Sequence, residues 1–147
     1  MSGEKSSSTL DKLEQQIMAK MRQIYSERTL DHAMNPRNVG RIQSADGLAK
    51  ITGPCGDTME ISLIVEKGKI RNAKFWTDGC GTAIACGSVA TELARDRTAI
   101  EVSKIDSRQI FDVLGGLPES DAHCAVLAAN TLRTAIQDYL NRKKTRL

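Results

Sequence analysis

Three cysteine motifs lie far apart in this chain, and each thiol has a neighbour that suits metal or sulfur chemistry. The motifs are Pro-Cys-Gly-Asp around Cys55, Gly-Cys-Gly around Cys80 and His-Cys at Cys124. A thiolate attacks sulfur, and thiolate ligands favour zinc, copper(I) or iron–sulfur clusters over hard cations. The spacing is too long for a local zinc loop, which uses close Cys-x-x-Cys pairs. Only the folded chain can bring these thiols together.

Two further side chains could complete a four-coordinate set. Asp57 lies two residues after Cys55, and His123 directly precedes Cys124. A carboxylate or an imidazole binds a soft metal less firmly than a fourth thiolate, so this set indicates a group that is bound and then released. In the plainer alternative, Asp57 is a turn-forming residue and His123 a surface residue. His32 has no thiol neighbour and is interpreted as a structural or surface residue.

A lone cysteine is most often a small buried hydrophobic residue. Three cysteines that each have a glycine, carboxylate or imidazole neighbour argue against that interpretation for Cys55, Cys80 and Cys124. It does apply to Cys86, which lies inside an alanine-rich predicted helix and faces roughly away from Cys80.

The composition is that of one soluble domain in a reducing compartment. The 147 residues are 40% apolar and 3% aromatic and carry a net charge of +3, which fits a single aliphatic core. Residues 142–147 are basic and predict a solvated tail, whereas a nucleic-acid surface would need a broader basic face. No apolar run is long enough to span a membrane, and Glu4, Asp11 and Glu14 in the N-terminal segment argue against a transit peptide. We therefore expect a cytoplasmic protein whose cysteines are ligands or reactive thiols rather than disulfides.

Hydrophobic periodicity predicts helices around an antiparallel sheet. Residues 1–9 are serine-rich and are predicted to be disordered. The apolar residues that follow recur every three or four positions and predict a helix from residue 10 to about residue 34, ended by Pro36. Alternating patterns and a tight turn at Lys67-Gly68 predict a meander of three strands, over residues 45–52, 59–66 and 70–77.

The second half of the chain is predicted to be helical, over residues 81–95, over residues 103–114 and from about residue 120 onward. This layout places Cys55 in a turn between two strands, Cys80 just before a helix and Cys124 in the first turn of the last helix. Because a helix start favours an anion, Cys80 and Cys124 are predicted to have lowered thiol pKa values.

The motifs together resemble the signature of IscU/NifU-type iron–sulfur cluster assembly scaffold proteins. The resemblance covers residues 24–141, and the matching segments, in the family's order, are residues 25–32, 35–40, 55–57, 78–85 and 123–124. It implies an α+β fold in which a three-stranded antiparallel sheet packs against about five helices. It also implies a non-enzymatic platform that combines iron with sulfur from a cysteine desulfurase of the IscS/NifS type. The product would be a labile [2Fe–2S] cluster that passes to apo iron–sulfur proteins.

Carried over by motif, Cys55, Cys80 and Cys124 are the expected cluster ligands, and Cys124 is the expected persulfide acceptor. Asp57 and His123 are expected alternative fourth ligands, and Asp57 is also expected to promote release. Zinc could occupy the site when no cluster is present. The runner-up is a zinc-bound sulfur acceptor of the SufU type. That branch carries an insertion between its second and third cysteines, whereas two helices and a short link account for this stretch here.

The chain departs from the family in three places. Many members carry Leu-Pro-Pro-Val-Lys before the His-Cys, where a dedicated chaperone docks, but residues 117–121 read Leu-Pro-Glu-Ser-Asp, which puts that step in doubt. Cys86 stands where many members have serine, so its participation is left open. Residues 1–23 are an extension that contains a helix over residues 10–23. This helix either covers the protein's own sheet or packs on a second subunit in a homodimer that shares a cluster. Packing on the protein's own sheet is slightly favoured.

Overall fold

The structure is a computed structural model that describes residues 2–146, with side chains described for residues 9–145. Its elements in chain order are α1 (Ser2–Ile24), α2 (Glu27–Met34), β1 (Gly47–Thr52), β2 (Thr58–Glu66), β3 (Lys69–Thr77), α3 (Gly81–Ala94), α4 (Ala99–Ser103), α5 (Ser107–Val113), a 3₁₀ turn (Glu119–Asp121) and α6 (Ala122–Arg146). The predicted α+β class with one three-stranded antiparallel sheet is confirmed. No helix among the described residues is long and apolar enough to cross a membrane.

The sheet is a meander in the order β1-β2-β3, with both pairs antiparallel. Lys67 and Gly68 connect β2 to β3 with backbone φ angles of 54° and 79°. Positive φ at both central residues matches the right-handed twist of the flanking strands, which explains the glycine. The register places Met59 opposite Ile51 on one side and Thr77 on the other. The end of β1, the start of β2 and the end of β3 therefore lie side by side, at the edge of the sheet near residue 55.

The N-terminal helix differs from its prediction at both ends. It begins at Ser2, so residues 2–9 are helical rather than disordered, while Met1 lies outside the described residues. It ends at Ile24, and α2 begins separately at Glu27. Ser26 causes the break, because its backbone is extended and its hydroxyl accepts a hydrogen bond from the amide of Thr29 at 3.0 Å. This N-cap makes a new helix start more favourable than continuation.

The helix predicted over residues 103–114 begins only at Ser107, as α5, and a separate short helix, α4, precedes it, so the described residues form six α-helices rather than about five. Each begins with a capping box, formed by Thr98 with Glu101 and by Asp106 with Gln109. The capping box at Asp106 satisfies the free amides at the start of α5, so this helix begins anew after the short link that follows α4.

The basic segment at the C-terminal end is part of α6 rather than a separate tail. Arg142 donates a hydrogen bond to the carbonyl of Ala45 at 2.9 Å and pairs with Asp138 at 2.9 Å. These contacts fix the helix beyond residue 141 to the segment that leads into β1. Residues 142–146 therefore continue the domain, and Leu147 lies outside the described residues.

The extension helix does not cover the sheet. Every side chain described on α1, from Thr9 to Ile24, is exposed except the half-buried Met18. The intramolecular packing favoured from the sequence is therefore wrong. The sheet is covered instead by α3 and α6, which pack on β3 and on β1 and β2 respectively. Their many alanines allow the two helices to approach both the sheet and each other closely.

Gly87 of α3 shows how closely this helix lies on the sheet. A Cβ at position 87 would stand 2.4 Å from the ring of Phe75, which is fully buried on β3. We expect Gly87→Ala to lower the free energy of unfolding by about 2 kcal/mol, because the ring has no space to move into and overpacking outweighs the helix propensity of alanine.

Thermal or urea unfolding followed by circular dichroism measures this effect. The control is Gly81→Ala, whose new Cβ would lie 3.7 Å from the Cβ of Ala33, an ordinary contact. A Gly87→Ala protein as stable as this control would contradict the packing described.

Candidate metal-binding site

The fold brings all five predicted site residues to one place. Two groups of donor atoms occur, Cys55 with Asp57 and His123, and Asp57 with Cys80 and Cys124. Within each group the ligand atoms lie within 4.8 Å of one another. Asp57 belongs to both groups and therefore joins them into a single site. The donors of this site come from the β1–β2 turn, from the start of α3 and from the first turn of α6.

Hydrogen bonds between strand ends hold the first two loops together. The amide of Thr58 donates to Oδ1 of Asp78 at 2.8 Å, and the hydroxyl of Thr77 donates to the carbonyl of Thr58 at 2.7 Å. In turn, the amide of Gly79 donates to the hydroxyl of Thr77 at 3.1 Å. The turn that carries Asp57 and the loop that carries Cys80 are therefore positioned relative to each other by the Thr77 and Asp78 side chains rather than by the thiols.

Gly79 lets the Asp57 carboxylate approach the backbone before α3. A Cβ at position 79 would stand 3.0 Å from Oδ2 of Asp57 and 2.7 Å from the Cβ of Ala83. Any other residue would displace the carboxylate or the helix start. The glycine beside Cys80 thus serves the position of Asp57 rather than a loop conformation.

The thiols differ in exposure. Cys55 and Cys80 are exposed, and Cys80 is the N-cap residue of α3 without a side-chain capping hydrogen bond. Cys124 is only 1% exposed, although the adjacent His123 is exposed and places Nε2 3.6 Å from the Cys124 sulfur. A bound group would therefore have a solvent side, formed by Cys55, Cys80 and His123, and an inner side at Cys124.

The prediction of a lowered pKa is wrong for Cys124. Burial, reinforced by the charges of Cys80, Asp121 and Asp57, raises the pKa of its thiol to about 12. The favourable field of the helix start is smaller than the cost of placing a thiolate in a desolvated position beside other anions. Cys124 is consequently a protonated thiol at neutral pH, and a neighbouring cation would favour its ionisation.

We expect alkylation of the metal-free protein to be slow at Cys124. At neutral pH, iodoacetamide should modify Cys55 and Cys80 at least about tenfold faster than Cys124, because only the thiolate reacts. A thiol with a raised pKa stays protonated until the pH approaches that pKa, so labelling of Cys124 should increase steadily as the pH rises. Peptide mass spectrometry measures each site. Equal rates in the native protein would contradict the assignment, and equal rates in denaturant provide the control.

Sequence reasoning missed a carboxylate that lies beside the site. Oδ2 of Asp121 accepts hydrogen bonds from the Tyr25 hydroxyl at 3.0 Å and from the Thr82 hydroxyl at 3.1 Å. The bond to Asp121, followed by burial, raises the pKa of Tyr25. The sequence pattern gives Asp121 no role in the site. The signal available was its place in the departure from the family's Leu-Pro-Pro-Val-Lys segment, where an acidic residue replaces the lysine.

The remaining candidates lie where they were expected. His32 is half-buried, and its Nδ1 is 2.8 Å from the Ser88 hydroxyl, so it is structural. Burial lowers its pKa, with Arg37 as the next cause. Cys86 is fully buried in the core and belongs to neither donor group of the described residues. Burial is the largest cause of a raised Cys86 pKa, so this residue is a neutral thiol in the core.

Comparison with known proteins agrees with this geometry. Residues 24–146 match the family described as the NifU-like N terminal domain. The iron-sulfur cluster assembly scaffold protein IscU 1 of Archaeoglobus fulgidus is 46% identical over 120 residues, covering 81% of this chain and 78% of that protein. The scaffold protein IscU of Azotobacter vinelandii is 43% identical over 124 residues, covering 81% of this chain and 96% of that protein.

A solved structure shows the same fold at low identity. The crystal structure of a nitrogen-fixing NifU-like protein (N-terminal) from Brucella abortus superposes with a TM-score of 0.64 at 18% identity, covering 83% of this chain and 98% of that chain. Since the family match spans most of the chain and the IscU relatives exceed 40% identity over four-fifths of it, the chain belongs to the family of NifU-like N-terminal domains that includes the IscU scaffold proteins.

Proposed function

We propose that this protein is a non-enzymatic scaffold on which a labile [2Fe–2S] cluster is assembled from iron and sulfur and then passed to apo-acceptor proteins. The observation that carries the proposal is the convergence of Cys55, Asp57, Cys80, His123 and Cys124 on one site, with Asp57 common to both donor groups. The names of the IscU relatives support the same role.

The donor set suits a diiron cluster. Each iron of a [2Fe–2S] cluster takes two protein ligands, and thiolates are the usual ones. The two overlapping groups offer five donors for four positions, so one donor is always in excess. A surplus carboxylate or imidazole allows ligands to exchange while the cluster stays bound, which a closed set of four thiolates does not.

The exposure of the site supports release. Cys55, Cys80 and His123 face solvent, so an acceptor protein's thiols can reach the cluster from that side. Solvent exposure and a weaker oxygen ligand at Asp57 both favour loss of the cluster over long-term storage. A resident electron-transfer cluster would instead be held by buried thiolates.

Cys124 is the proposed sulfur acceptor, and a cysteine desulfurase is the proposed donor. The Cys124 thiolate attacks the sulfane sulfur of the donor persulfide, the donor's S–S bond breaks, and the donor leaves as a thiolate. Conversion of the resulting Cys124 persulfide to sulfide takes two electrons from a thiol or an electron-transfer protein. Because the metal-free Cys124 thiol is protonated, a cation on the neighbouring donors would assist this attack.

Other partners follow from the same role. Apo iron–sulfur proteins are the proposed acceptors, and a homodimer that shares one cluster at the exposed thiols remains an alternative to a monomeric holo form. The acidic residues Glu119 and Asp121 replace the segment on which a dedicated chaperone would dock, so we expect no such docking. We propose a cytoplasmic location, in which the four free cysteines would stay reduced.

A zinc-bound sulfur acceptor is the alternative function, because three thiols with Asp57 or His123 also satisfy tetrahedral zinc. Anaerobic reconstitution with iron, cysteine and a cysteine desulfurase separates the two. The scaffold proposal predicts visible absorption and about two irons and two sulfides per cluster. A chain that retains tightly bound zinc, accepts sulfur at Cys124 and forms no chromophore would overturn the scaffold proposal in favour of the alternative.

A further inference from the structure

The extension helix α1, which precedes the family match, carries an unpartnered apolar row. Its members are the large hydrophobic residues that recur every three or four positions, and all are 39–60% exposed: Leu10, Leu13, Ile17, Met21 and Ile24. At 3.6 residues per turn they fall within an arc of about 80°. A helix that packs on a globular core or lies in a membrane interface has a wider apolar face, whereas so narrow a row is typical of a helix–helix seam.

The row is symmetric about its middle residue. Leu13 and Leu10 lie four and seven positions before Ile17. Met21 and Ile24 lie four and seven positions after it. A two-fold axis at Ile17 would therefore place each apolar residue of one antiparallel copy opposite an apolar residue of the other. Contacts of this kind, in which the same patch is used twice, are what a closed symmetric dimer requires.

The charges on α1 favour the same arrangement. Before Ile17 the helix carries Glu4, Lys5, Asp11, Lys12 and Glu14, a net charge of −1, whereas after it the helix carries Lys20 and Arg22, a net charge of +2. An antiparallel pair centred on Ile17 puts Glu14 of one copy level with Lys20 of the other. It also puts Lys12 level with Arg22, but at 3.6 residues per turn these two lie on the side of the helix away from the apolar row. A parallel pair would put acidic beside acidic and basic beside basic, which costs stability. Mixed charges on the polar face are also unlike the basic face of a membrane-surface helix.

The area is sufficient for a specific contact. A half-exposed aliphatic side chain presents roughly 100 Å² to solvent, so the row offers about 500 Å² per chain. Two copies would bury about 1,000 Å² from these side chains alone, which reaches the lower range of specific interfaces before flanking residues are counted.

We propose that two copies of this chain associate through α1 as an antiparallel helix pair whose two-fold axis passes at Ile17. Leu13 of each copy contacts Met21 of the other, and Leu10 contacts Ile24. The contact needs neither metal nor cluster, although Met21 also lines the cavity that is lined by Cys80. It therefore stands or falls separately from the scaffold function.

Sedimentation equilibrium of the metal-free, chelator-treated full chain tests the proposal. The wild-type protein is expected to be a dimer at micromolar concentration, and Ile17→Glu is expected to weaken the dimer at least 100-fold. The matched control is Ile100→Glu, since Ile100 is an isoleucine on α4 that is 68% exposed against 49% for Ile17, and this variant should dimerise like the wild type. A monomeric wild-type chain, or an Ile17→Glu variant that dimerises normally, would overturn the proposal.

A pair of double variants tests the direction of the helices. Leu13→Glu with Met21→Glu places like charges at every contact and should give a monomer. Leu13→Glu with Met21→Lys should restore the dimer, because the antiparallel seam then pairs glutamate with lysine twice. In a parallel seam the same variant pairs like charges. Circular dichroism checks that α1 stays helical in both proteins. Failure of the glutamate–lysine variant to dimerise while folded would overturn the antiparallel arrangement.

Discussion

Replacing Cys80 with alanine is expected to abolish the visible absorption of the reconstituted protein. Cys80 is an exposed thiol in one of the two donor groups, and its loss leaves Asp57 and the buried Cys124 as that group's only donors. Loss of a direct thiolate ligand should lower cluster affinity by more than the roughly 10–100-fold that loss of an outer-shell contact costs. Absorption spectroscopy with iron and sulfide analysis after anaerobic reconstitution measures the effect.

Cys86 provides the matched cysteine control. Cys86 lies in α3, the helix whose N-cap residue is Cys80. Its side chain is buried in the core and lies outside both donor groups. Cys86→Ser should retain the full chromophore, with at most a small loss of stability. A Cys86→Ser variant that loses the chromophore while folded, or a Cys80→Ala variant that keeps it, would show that the thiols have been assigned wrongly.

Asp57→Ala is expected to make the assembled cluster persist about tenfold longer in the presence of an apo-acceptor or a chelator. Asp57 is the one donor shared by both groups, and an oxygen ligand exchanges on iron more readily than a thiolate. A tenfold change in lifetime corresponds to about 1.4 kcal/mol in the barrier to release. The decay of visible absorption after addition of the acceptor gives the rate.

The control for this prediction is Asp112→Ala, which removes an exposed carboxylate outside the site and should leave the decay unchanged. An Asp57→Ala cluster that decays at the wild-type rate, or faster, would mean that the carboxylate holds the cluster instead of promoting its release.

The strands and the places of the thiols could be predicted because local pattern decides them. Alternating apolar residues between Met59 and Val65 require one buried face, and the Lys67-Gly68 turn fixes the partner strand. Once the meander is set, Cys55 and Cys80 must lie at the same end of the sheet. Helix breaks at Ser26 and between α4 and α5 were missed because they depend on side-chain caps, which compete with a continuing apolar period.

The electrostatics of the site could not be predicted from position along the chain. The first turn of α6 predicts a stabilised thiolate at Cys124, but its burial under the loops reverses the direction of the pKa shift. Burial is set by tertiary packing, which no local pattern around His123-Cys124 contains. The contact of Asp121 with Tyr25 joins residues 96 positions apart and was invisible for the same reason.

The central claim is that the five donors hold a cluster while it is assembled and then release it to an acceptor protein. Its most direct test is anaerobic transfer from the reconstituted protein to an apo-ferredoxin that takes a [2Fe–2S] cluster, followed by circular dichroism in the visible range in the presence of an iron chelator. The account predicts that the acceptor gains its cluster as the scaffold loses its own, because a directly transferred cluster is protected from the chelator. Loss of the scaffold's cluster to the chelator with no gain in the acceptor would contradict it.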